Sequence, residues 1–437
     1  MKVAVPKEVV EGEQRVALVP DTVQKLVEQE HEVAVEKGAG REYHPDAAYE
    51  EAGAELVSEV EELYRGADLV LKVQPPTEDE VEQLEEETAL VSFLDPPGNP
   101  ELVEKLAERG VTTFSFNLVP RIGRAQNMDA LSSMASIAGY KSVLIGAEQL
   151  GKYLPMMTTA AGTTKASKVV VIGAGVAGLQ AIATAVRLGA DVHAFDIRPE
   201  VKEQVESLGA TFIEAEPEQE EAEEAQEEEV EEEPPGKLAE ATELLKALLG
   251  IQAASEDGSR EDSAKRDQQE EEEDDGSGPK GGYAQEQSEE KQERDRELLR
   301  ERLAEADLVL TTALVPGKKA PVIVTEEMVD DMQPGSILVD IAVEAGGNCE
   351  LTEPDEIVEH GGVKIYGPVN LPSGMPIHAS QLYARNLAAV VSHLVEDGEL
   401  NLDFEDQITD EACLAHGGEV RHEPTREALA KAASEGS

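Results

Sequence analysis

Residues 169–178 read Val-Val-Val-Ile-Gly-Ala-Gly-Val-Ala-Gly, an apolar run that passes directly into a glycine-rich turn. A strand is predicted at Lys168–Ile172 and a helix at Gly178–Leu188. Glycines spaced Gly-x-Gly-x-x-Gly between a strand and a helix are typical of a dinucleotide-binding turn, because they permit a tight turn, close approach of a pyrophosphate and close helix packing. We therefore predict a Rossmann domain whose cofactor contacts are Gly173, Ala174, Gly175, Val176 and Gly178.

A second strand, predicted at His193–Asp196, ends in a carboxylate 18 residues after Gly178. An acid at that place accepts hydrogen bonds from the adenosine ribose and repels a 2′-phosphate, so it favours NAD over NADP. Arg198 stands two residues further on and could tolerate a phosphate. The alternative for the whole motif is a Rossmann-like fold that binds no nucleotide. The strand, glycines, helix and acid in register favour an NAD(H) site that includes Asp196 and Arg198.

Short apolar strands alternate with helical patterns along most of the chain, which is typical of an α/β fold. We predict two Rossmann-like domains, the second a doubly wound parallel sheet that contains the dinucleotide-binding motif. The first covers residues 1–135 and is completed by about 372–400, and the second covers 136–371. Residues 216–290 are so acidic that we predict a long disordered insertion there. Residues 401–437 are predicted to be an acidic C-terminal tail with weak strands and a frayed end.

The chain of 437 residues is strongly acidic, with 93 Asp and Glu against 37 Lys and Arg and a net charge of −56. Residues 214–300 contribute 32 acids and 10 bases, which leaves a net charge of −34 elsewhere. Such a chain is repelled by nucleic acids and by anionic membrane surfaces. A carboxylate coat of this kind suits a cytosol of very high salt, where charges are screened, so we expect a halophilic source.

Neither the N-terminus nor the most apolar stretch of the chain indicates export or membrane insertion. The chain has two cysteines, and its N-terminus, MKVAVPKEVVEGEQR, has an apolar run too short for a signal peptide. We therefore expect a reduced cytosol and no disulfide framework. Val169–Val186 carries no charge over 18 residues, but three glycines and Gln180 interrupt it. A buried strand, turn and helix is the favoured interpretation, so no transmembrane segment is expected.

Two further groups of residues are not expected to be functional sites, and the role of Asp340 is left open. Cys413, His416 and His422 match no standard metal-ligand spacing, so no metal site is expected, and a surface strand pair is the favoured interpretation. Cys349 has no neighbouring His that would activate a nucleophile. Asp340 ends a predicted strand at the cofactor edge, where it could approach a nicotinamide or cap a turn, and both possibilities stay open.

Beyond these patterns, the sequence resembles NAD(P) transhydrogenases, specifically the soluble NAD(H)-binding part of their α subunit, in a wider family that also contains alanine dehydrogenases. The resemblance covers about residues 1–213 and 280–400. Its most specific stretch, residues 120–133, reads Pro-Arg-Ile-Gly-Arg-Ala-Gln-Asn-Met-Asp-Ala-Leu-Ser-Ser. The other stretches that carry it are residues 15–20, 173–202, 311–318 and 339–349.

The resemblance implies a loop that surrounds the nicotinamide with Arg121, Gln126, Asp129 and Ser132. Gln126 would hydrogen-bond the ring or its ribose, and Arg121 would pair with Asp129 and hold the loop. Tyr283, in a mobile loop, would contact the adenosine side of the cofactor. The acidic expansion just before Tyr283 departs from the family pattern.

The same resemblance implies a function. NAD(H) on this chain would exchange a hydride directly with NADP(H) on a partner subunit, and the exchange would be coupled to proton translocation. The expected partners are a transhydrogenase membrane subunit and an NADP-binding β subunit, with a second copy of this chain in a homodimer. The chain would then be cytoplasmic and attached to the inner face of the cell membrane through those partners.

Alanine dehydrogenase is the competing interpretation. Relatives of that type use an Arg and a Lys to bind a carboxylate and a His as acid or base, and Arg15 and Lys72 are present here. The His belongs after the strand at Leu90–Leu94, where this chain has Asp95, which cannot easily shuttle a proton near neutral pH. We therefore favour structural roles for Arg15 and Lys72. An NAD-dependent alanine dehydrogenase and a non-catalytic NAD sensor stay open as alternatives.

Overall fold

Short runs of Val, Leu, Ile and Ala form the strands of two main β-sheets, each with a buried core on both faces. The computed structural model describes residues 1–214, 289–315 and 318–435. The insertion predicted at 216–290 lies outside these ranges apart from its last two residues, and Tyr283 lies outside them as well.

The elements are numbered in chain order over the described residues. The strands are β1 (Lys2–Val5), β2 (Glu32–Glu36), β3 (Glu55–Val57), β4 (Leu69–Leu71), β5 (Ala89–Ser92), β6 (Thr112–Ser115), β7 (Met157–Thr159), β8 (Gly162–Thr164), β9 (Lys168–Ile172), β10 (Asp191–Phe195), β11 (Thr211–Phe212), β12 (Leu308–Thr311), β13 (Ile337–Asp340), β14 (Ile357–His360), β15 (Val363–Tyr366), β16 (Val395–Glu396), β17 (Glu399–Leu400), β18 (Cys413–His416) and β19 (Glu419–Val420). The α-helices are α1 (Pro20–Glu28), α2 (Asp46–Glu51), α3 (Val60–Tyr64), α4 (Glu78–Gln83), α5 (Pro100–Glu108), α6 (Ala130–Gln149), α7 (Val176–Arg187), α8 (Lys202–Ser207), α9 (Glu289–Ala304), α10 (Glu326–Asp330), α11 (Pro376–Leu394), α12 (Gln407–Ala412) and α13 (Glu423–Glu435).

The first sheet has the strand order β3-β2-β1-β4-β5-β6-β18-β19, and strands β1 to β6 are parallel. Strand β1 lies between β2 and β4, so the strand order reverses there, as in a Rossmann fold. Val3 and Val5 of β1 belong to the core on one face and Ala4 to the core on the other. Helix α11 contributes Tyr383 and Leu387 to the first of these cores, although it lies far along the chain.

The C-terminal residues contain the strand pair predicted around Cys413, His416 and His422, but this pair is part of the first sheet and is not confined to the surface. Strand β18 pairs antiparallel with β6, and β19 pairs antiparallel with β18, so both extend the first sheet. Leu414 in β18 is fully buried. The burial of β18 was not predicted, because the apolar run at 412–415 is only four residues long and lies between exposed acids such as Asp410 and Glu419.

The second sheet has the strand order β11-β10-β9-β12-β13-β15-β14. All neighbouring strands are parallel except β14, which pairs antiparallel with β15. This arrangement confirms the predicted α/β class with a doubly wound parallel sheet. Strand β9 lies between β10 and β12, so the strand order reverses at the strand that the glycine motif follows. Ligands of such sheets bind at the carboxyl ends of the strands, at this point of reversal.

Helix α6 belongs to the cores of both sheets. Met134 and Ile137 in its first half pack into the core of the first sheet, and Val143 in its second half packs into that of the second. A Cβ on Gly139 would lie 2.0 Å from the carbonyl oxygen of Ala177, so α6 lies directly against the first turn of α7. We keep a domain division near the start of this helix as a proposal.

Two β-hairpins, β7–β8 and β16–β17, form small sheets of their own. The uncharged stretch 169–186 is divided between β9 and α7, as predicted. Among the residues that the structure describes, no helix is both long and apolar enough to cross a membrane.

Candidate dinucleotide-binding site

The glycine motif forms a sharp turn between β9 and α7. Gly173 has a φ of 97°, a left-handed conformation that glycine adopts without strain. Its carbonyl oxygen accepts a hydrogen bond from Thr312 Oγ1 at 3.0 Å. A Cβ on Gly178 would lie 1.8 Å from the same carbonyl oxygen. The turn itself therefore requires both glycines.

The geometry of the turn does not explain why residue 175 is a glycine. Its φ of −75° is one that any residue adopts, and a Cβ there would meet no described atom within 4 Å. Gly175 is the N-cap of the 12-residue helix α7 and supplies no side-chain cap to the N–H groups of the first turn. Open space at the positive end of a helix dipole fits a pyrophosphate, so the residues present here fit a dinucleotide.

The carboxylate of Asp196, just after β10, lies beside this turn. It accepts hydrogen bonds from the backbone N–H groups of Ala174 at 2.7 Å and Arg198 at 3.0 Å. The Arg198 side chain also donates to it, from Nε at 3.0 Å and from Nη2 at 2.9 Å. Burial favours the protonated form, but the hydrogen bonds, chiefly those from the Arg198 side chain, hold the pKa of Asp196 below its usual value. The carboxylate is therefore ionised at neutral pH.

The loop predicted to surround the nicotinamide forms a 3-10 helix, Gly123–Met128, that leads into α6. Asp129 caps α6, because its carboxylate accepts hydrogen bonds from the backbone N–H of Ser132 at 2.8 Å and from its hydroxyl at 2.6 Å. Arg121 and Gln126 are exposed. The structure shows Ser132 as a hydrogen-bond partner of this carboxylate, and the pairing of Arg121 with Asp129 stays a prediction.

Two contacts that the sequence did not suggest hold this loop. Arg124 Nη1 donates to Asp406 Oδ2 at 2.8 Å, and Asn386 Nδ2 in α11 donates to the carbonyl oxygen of Asn127 at 2.8 Å. The hydrogen bond from Arg124 holds the pKa of Asp406 below its usual value. Asp406 also caps α12 through the backbone N–H of Ile408 at 2.8 Å. Arg124 and Asp406 are 282 residues apart, so no local pattern could have indicated the pair.

Helix α6 connects this loop to the glycine turn. Ser136 Oγ donates to Gln180 Oε1 of α7 at 3.5 Å, one helical turn before the close contact at Gly139. Seven residues, about 10 Å of helix, separate Ser136 from Asp129. Asp129 and Ser132 thus lie at the start of the helix that packs on the first turns of α7.

Asp340 has a structural role in the loop after β13. It is fully buried, and its carboxylate accepts hydrogen bonds from the backbone N–H groups of Ala342, Asn348 and Cys349 and from the hydroxyl of Thr352. The sequence left open whether Asp340 approaches a nicotinamide or caps a turn, and the structure shows that it caps a turn. Burial raises the pKa of Cys349 to about 11, so this thiol stays protonated near neutral pH.

A buried ionic cluster joins the first sheet to the segment before α11. Arg15 donates to Glu13 twice, from Nε at 2.8 Å and from Nη2 at 2.6 Å. Gln74 and Asn370 donate to the same carboxylate at 2.7 and 3.1 Å. Burial favours protonation of Glu13, but the hydrogen bonds and the charge of Arg15 outweigh it and lower the pKa of Glu13 to about 2.

Lys72 lies beside this cluster and is 1% exposed. Its Nζ is 2.7 Å from Glu80 Oε1 and 3.4 Å from Glu8 Oε2. Arg15 and Lys72 are therefore both engaged by carboxylates of the chain itself. Asp95, where an alanine dehydrogenase would have its His, is exposed.

Replacing Glu13 by Gln is expected to reduce the fall in the free energy of unfolding between pH 7 and pH 3. A carboxylate whose pKa is about 2 when folded and about 4.5 when unfolded stabilises the fold fully above pH 4.5, and this contribution is lost as pH falls towards 2. The free energy of unfolding, measured in urea at pH 7 and pH 3 at constant salt, should fall less in E13Q than in the wild type. E78Q, which removes an exposed carboxylate paired with Lys105, should keep the wild-type difference. Equal losses in wild type and E13Q would contradict this prediction.

Comparisons with known proteins cover both sheets. The family model "Alanine dehydrogenase/PNT, N-terminal domain" matches residues 4–138, and "Alanine dehydrogenase/PNT, C-terminal domain" matches residues 142–423. An NAD(P) transhydrogenase subunit alpha from Haemophilus influenzae is 40% identical over 423 residues, which cover 96% of this chain and 71% of the relative. An alanine dehydrogenase from Bacillus subtilis is 28% identical over 387 residues, 86% of this chain and 81% of the relative.

A solved structure agrees with these sequence matches. The transhydrogenase from Sinorhizobium meliloti superposes with a TM-score of 0.77 at 38% identity, and the match covers 96% of this chain and all of that one. The similarity thus extends over the first sheet, helix α6 and the second sheet together.

Proposed function

Because the chain belongs to the alanine dehydrogenase/PNT family and is 40% identical to a transhydrogenase α subunit, we propose that it is the NAD(H)-binding component of a proton-translocating NAD(P) transhydrogenase. The observation that best supports NAD(H) binding is the open space over Gly175 at the start of α7, beside the ionised Asp196. Hydride exchange with NADP(H) on a partner subunit and its coupling to proton movement are included in the proposal.

Bound NAD(H) would supply the hydride chemistry, and the chain's residues would bind and orient it. The N–H groups at the start of α7 would bind the pyrophosphate, and Gly175 leaves the room for it. Ala174 and Val176 flank this position in the turn. Asp196 would accept hydrogen bonds from the ribose hydroxyls. Tyr283 stays a prediction for the adenosine side.

At the other end of the cofactor, we assign Gln126 and Arg121 to the nicotinamide. Both side chains are exposed on or beside the 3-10 loop, which suits contact with a ring that must also meet a second nucleotide. Asp129 and Ser132 would act by fixing the start of α6, because they hydrogen-bond each other at the cap.

The partners follow from the same proposal. A membrane subunit and an NADP-binding β subunit would complete the enzyme, with two copies of this chain as a homodimer on the cytoplasmic face of the membrane. The bacterial relative is named as a subunit alpha, which supports an enzyme built from several chains. The net charge of −56 supports the further proposal that the assembly works in concentrated salt.

The ionic cluster argues against the alternative, an alanine dehydrogenase. A carboxylate substrate needs a cation that can face it, and Arg15 and Lys72 already bind Glu13, Glu8 and Glu80. Opening these buried pairs would leave the chain's own carboxylates without their charged partners, at a cost of several kcal/mol.

The proposal is tested by assaying the pure chain in concentrated KCl, alone and with an NADP-binding partner subunit. We expect tight NADH binding by the chain alone, hydride exchange from NADPH to an NAD analogue only when the partner is added, and no NADH production from alanine. The variant Gln126→Asn keeps the amide but shortens its reach, so we expect exchange to fall with little change in NADH affinity. NADH production from alanine would overturn the proposal, and NADH binding without exchange at any partner concentration would favour a sensor.

A further inference from the structure

A hydrogen bond joins helix α11 to the loop that precedes α6. Asn386 Nδ2 donates to the carbonyl oxygen of Asn127 at 2.8 Å, and Asn386 itself is 6% exposed. Asn127 directly follows Gln126, whose exposed side chain is proposed to bind the nicotinamide or its ribose. The backbone that carries Gln126 is therefore attached, at the next residue, to a helix of the first core.

The apolar side chains of this loop hold it on the core without fixing the direction of Gln126. Ala125 and Met128 are buried in the core of the first sheet, whereas Gln126 is exposed. Residues three apart lie on the same side of a 3-10 helix, so this pair forms the inner side of the loop. Apolar burial is non-directional. A hydrogen bond to the backbone has a preferred distance and angle, so it can set the orientation that the apolar contacts leave free.

Packing alone does not account for an amide at position 386. Most of the other buried residues of α11 are apolar, among them Tyr383, Leu387 and Val390. Oδ1 of Asn386 is buried and accepts no hydrogen bond from the residues that the structure describes, which costs free energy. Asn also has a lower helix propensity than Leu. An apolar side chain would avoid both costs, so the hydrogen bond to the loop is the favourable contribution that an amide makes here.

The other contact from the C-terminal part of the chain to this loop is less suited to hold it. The side chain of Arg124 is 62% exposed and that of its partner Asp406 is 20% exposed. An exposed ion pair contributes little to stability and is screened by salt. The amide of Asn386 is buried and carries no charge, so concentrated salt should leave its hydrogen bond intact.

We propose that Asn386 is a positioning residue that orients Gln126 towards the nicotinamide by binding the backbone beside it. This inference rests on the NAD(H) site proposed above and adds a residue that acts on the cofactor only through the loop. Loss of the hydrogen bond should release the loop and leave the glycine turn at α7 as it is. The variant should therefore bind NADH normally and exchange hydride slowly, because the ring is no longer held in the reactive geometry.

The first test measures the loop itself, in the full chain without cofactor. The variant Asn386→Leu removes the donor and keeps a side chain of similar volume. Amide hydrogen exchange of residues 123–129, followed by mass spectrometry, should become roughly tenfold faster, the effect expected for the loss of one hydrogen bond. Exchange in β9 and α7 should not change. The matched control is Ser392→Ala, an exposed residue of the same helix whose hydroxyl donates to the carbonyl oxygen of Ala388, and it should leave the loop unchanged.

The second test asks whether the released loop acts through Gln126. With the NADP-binding partner added, Asn386→Leu should lower the rate of hydride exchange at saturating NADH roughly 10- to 100-fold. The Kd for NADH, measured by calorimetry, should stay within about twofold of the wild type. Combined with Gln126→Ala, the substitution should cost little more, because the side chain that it orients is already absent. Asn386→Ser, which has a hydroxyl too short to reach the loop, replaces the leucine variant in both tests if that variant does not fold.

The outcomes separate this inference from the proposed function. Unchanged hydrogen exchange of the loop in Asn386→Leu would overturn the inference, and so would rate losses that add fully with those of Gln126→Ala. A loss of NADH affinity as large as the loss of rate would also overturn it, because it would indicate general damage to the fold. A Gln126→Ala chain that exchanges hydride like the wild type would instead contradict the proposed nicotinamide loop.

Discussion

Gly175→Ala is expected to lower NADH affinity about 100-fold or more while leaving the stability of the protein nearly unchanged, since the added methyl group would displace the diphosphate at the proposed site. The backbone of Gly175 is compatible with any residue, and a Cβ there would contact no described atom within 4 Å. The added methyl group would therefore occupy the space of the pyrophosphate and nothing else. Calorimetric titration with NADH and thermal unfolding, both at high salt, check the two halves of the prediction.

The matched control is Gly374→Ala, where a Cβ would have only ordinary contact with Lys141 at 3.6 Å. It should bind NADH like the wild type. Gly178→Ala is the opposite case, because its Cβ would lie 1.8 Å from a backbone oxygen, and it should lose stability as well as binding. If G175A bound NADH normally, the dinucleotide would have to lie elsewhere.

Leu414→Ala should lower the free energy of unfolding by about 2–5 kcal/mol, the usual cost of removing a large side chain from a packed core. Leu414 lies in β18 and is fully buried in the core on one face of the first sheet. The expected loss is large for a residue in a segment whose composition indicates a tail. Urea unfolding at constant salt, followed by circular dichroism, measures it.

Leu414→Val, which removes less volume, should cost about 1 kcal/mol and keeps the test open if the alanine variant does not fold. The control Glu405→Ala changes an exposed residue of the same segment and should stay within about 0.5 kcal/mol of the wild type. A Leu414→Ala variant as stable as this control would show that β18 does not support the sheet.

The glycine turn and its acid could be predicted because their determinants are local. Gly173 is required by its own positive φ and Gly178 by the carbonyl oxygen of Gly173, five residues earlier, and Asp196 follows a strand that pairs with β9. A pattern of this kind consists of residues that are close together in the sequence, so it can be recognised without knowing the rest of the fold. The α/β class follows in the same way from the repeated alternation of strands and helices.

The remainder of the site depends on contacts between distant residues. The pair Arg124–Asp406 and the hydrogen bond from Asn386 to Asn127 join segments more than 250 residues apart. The capping role of Asp129 was also not predicted, since the sequence suggested only a charge partner in Arg121 and not the hydrogen bonds to Ser132. The burial of the strand pair within residues 401–437 was likewise missed, because the apolar run at 412–415 is short and lies in an acidic segment.

The helix shared by the two cores has a consequence for any attempt to separate the halves of this protein. The two family models meet between residues 138 and 142, which is the middle of the 20-residue helix α6. A cut there would leave each fragment with half of α6 and with apolar core residues exposed to solvent. Neither fragment should therefore fold when it is expressed alone. It also means that a tilt of one half against the other would carry the start of α6, and with it the 3-10 helix Gly123–Met128, as one stiff piece.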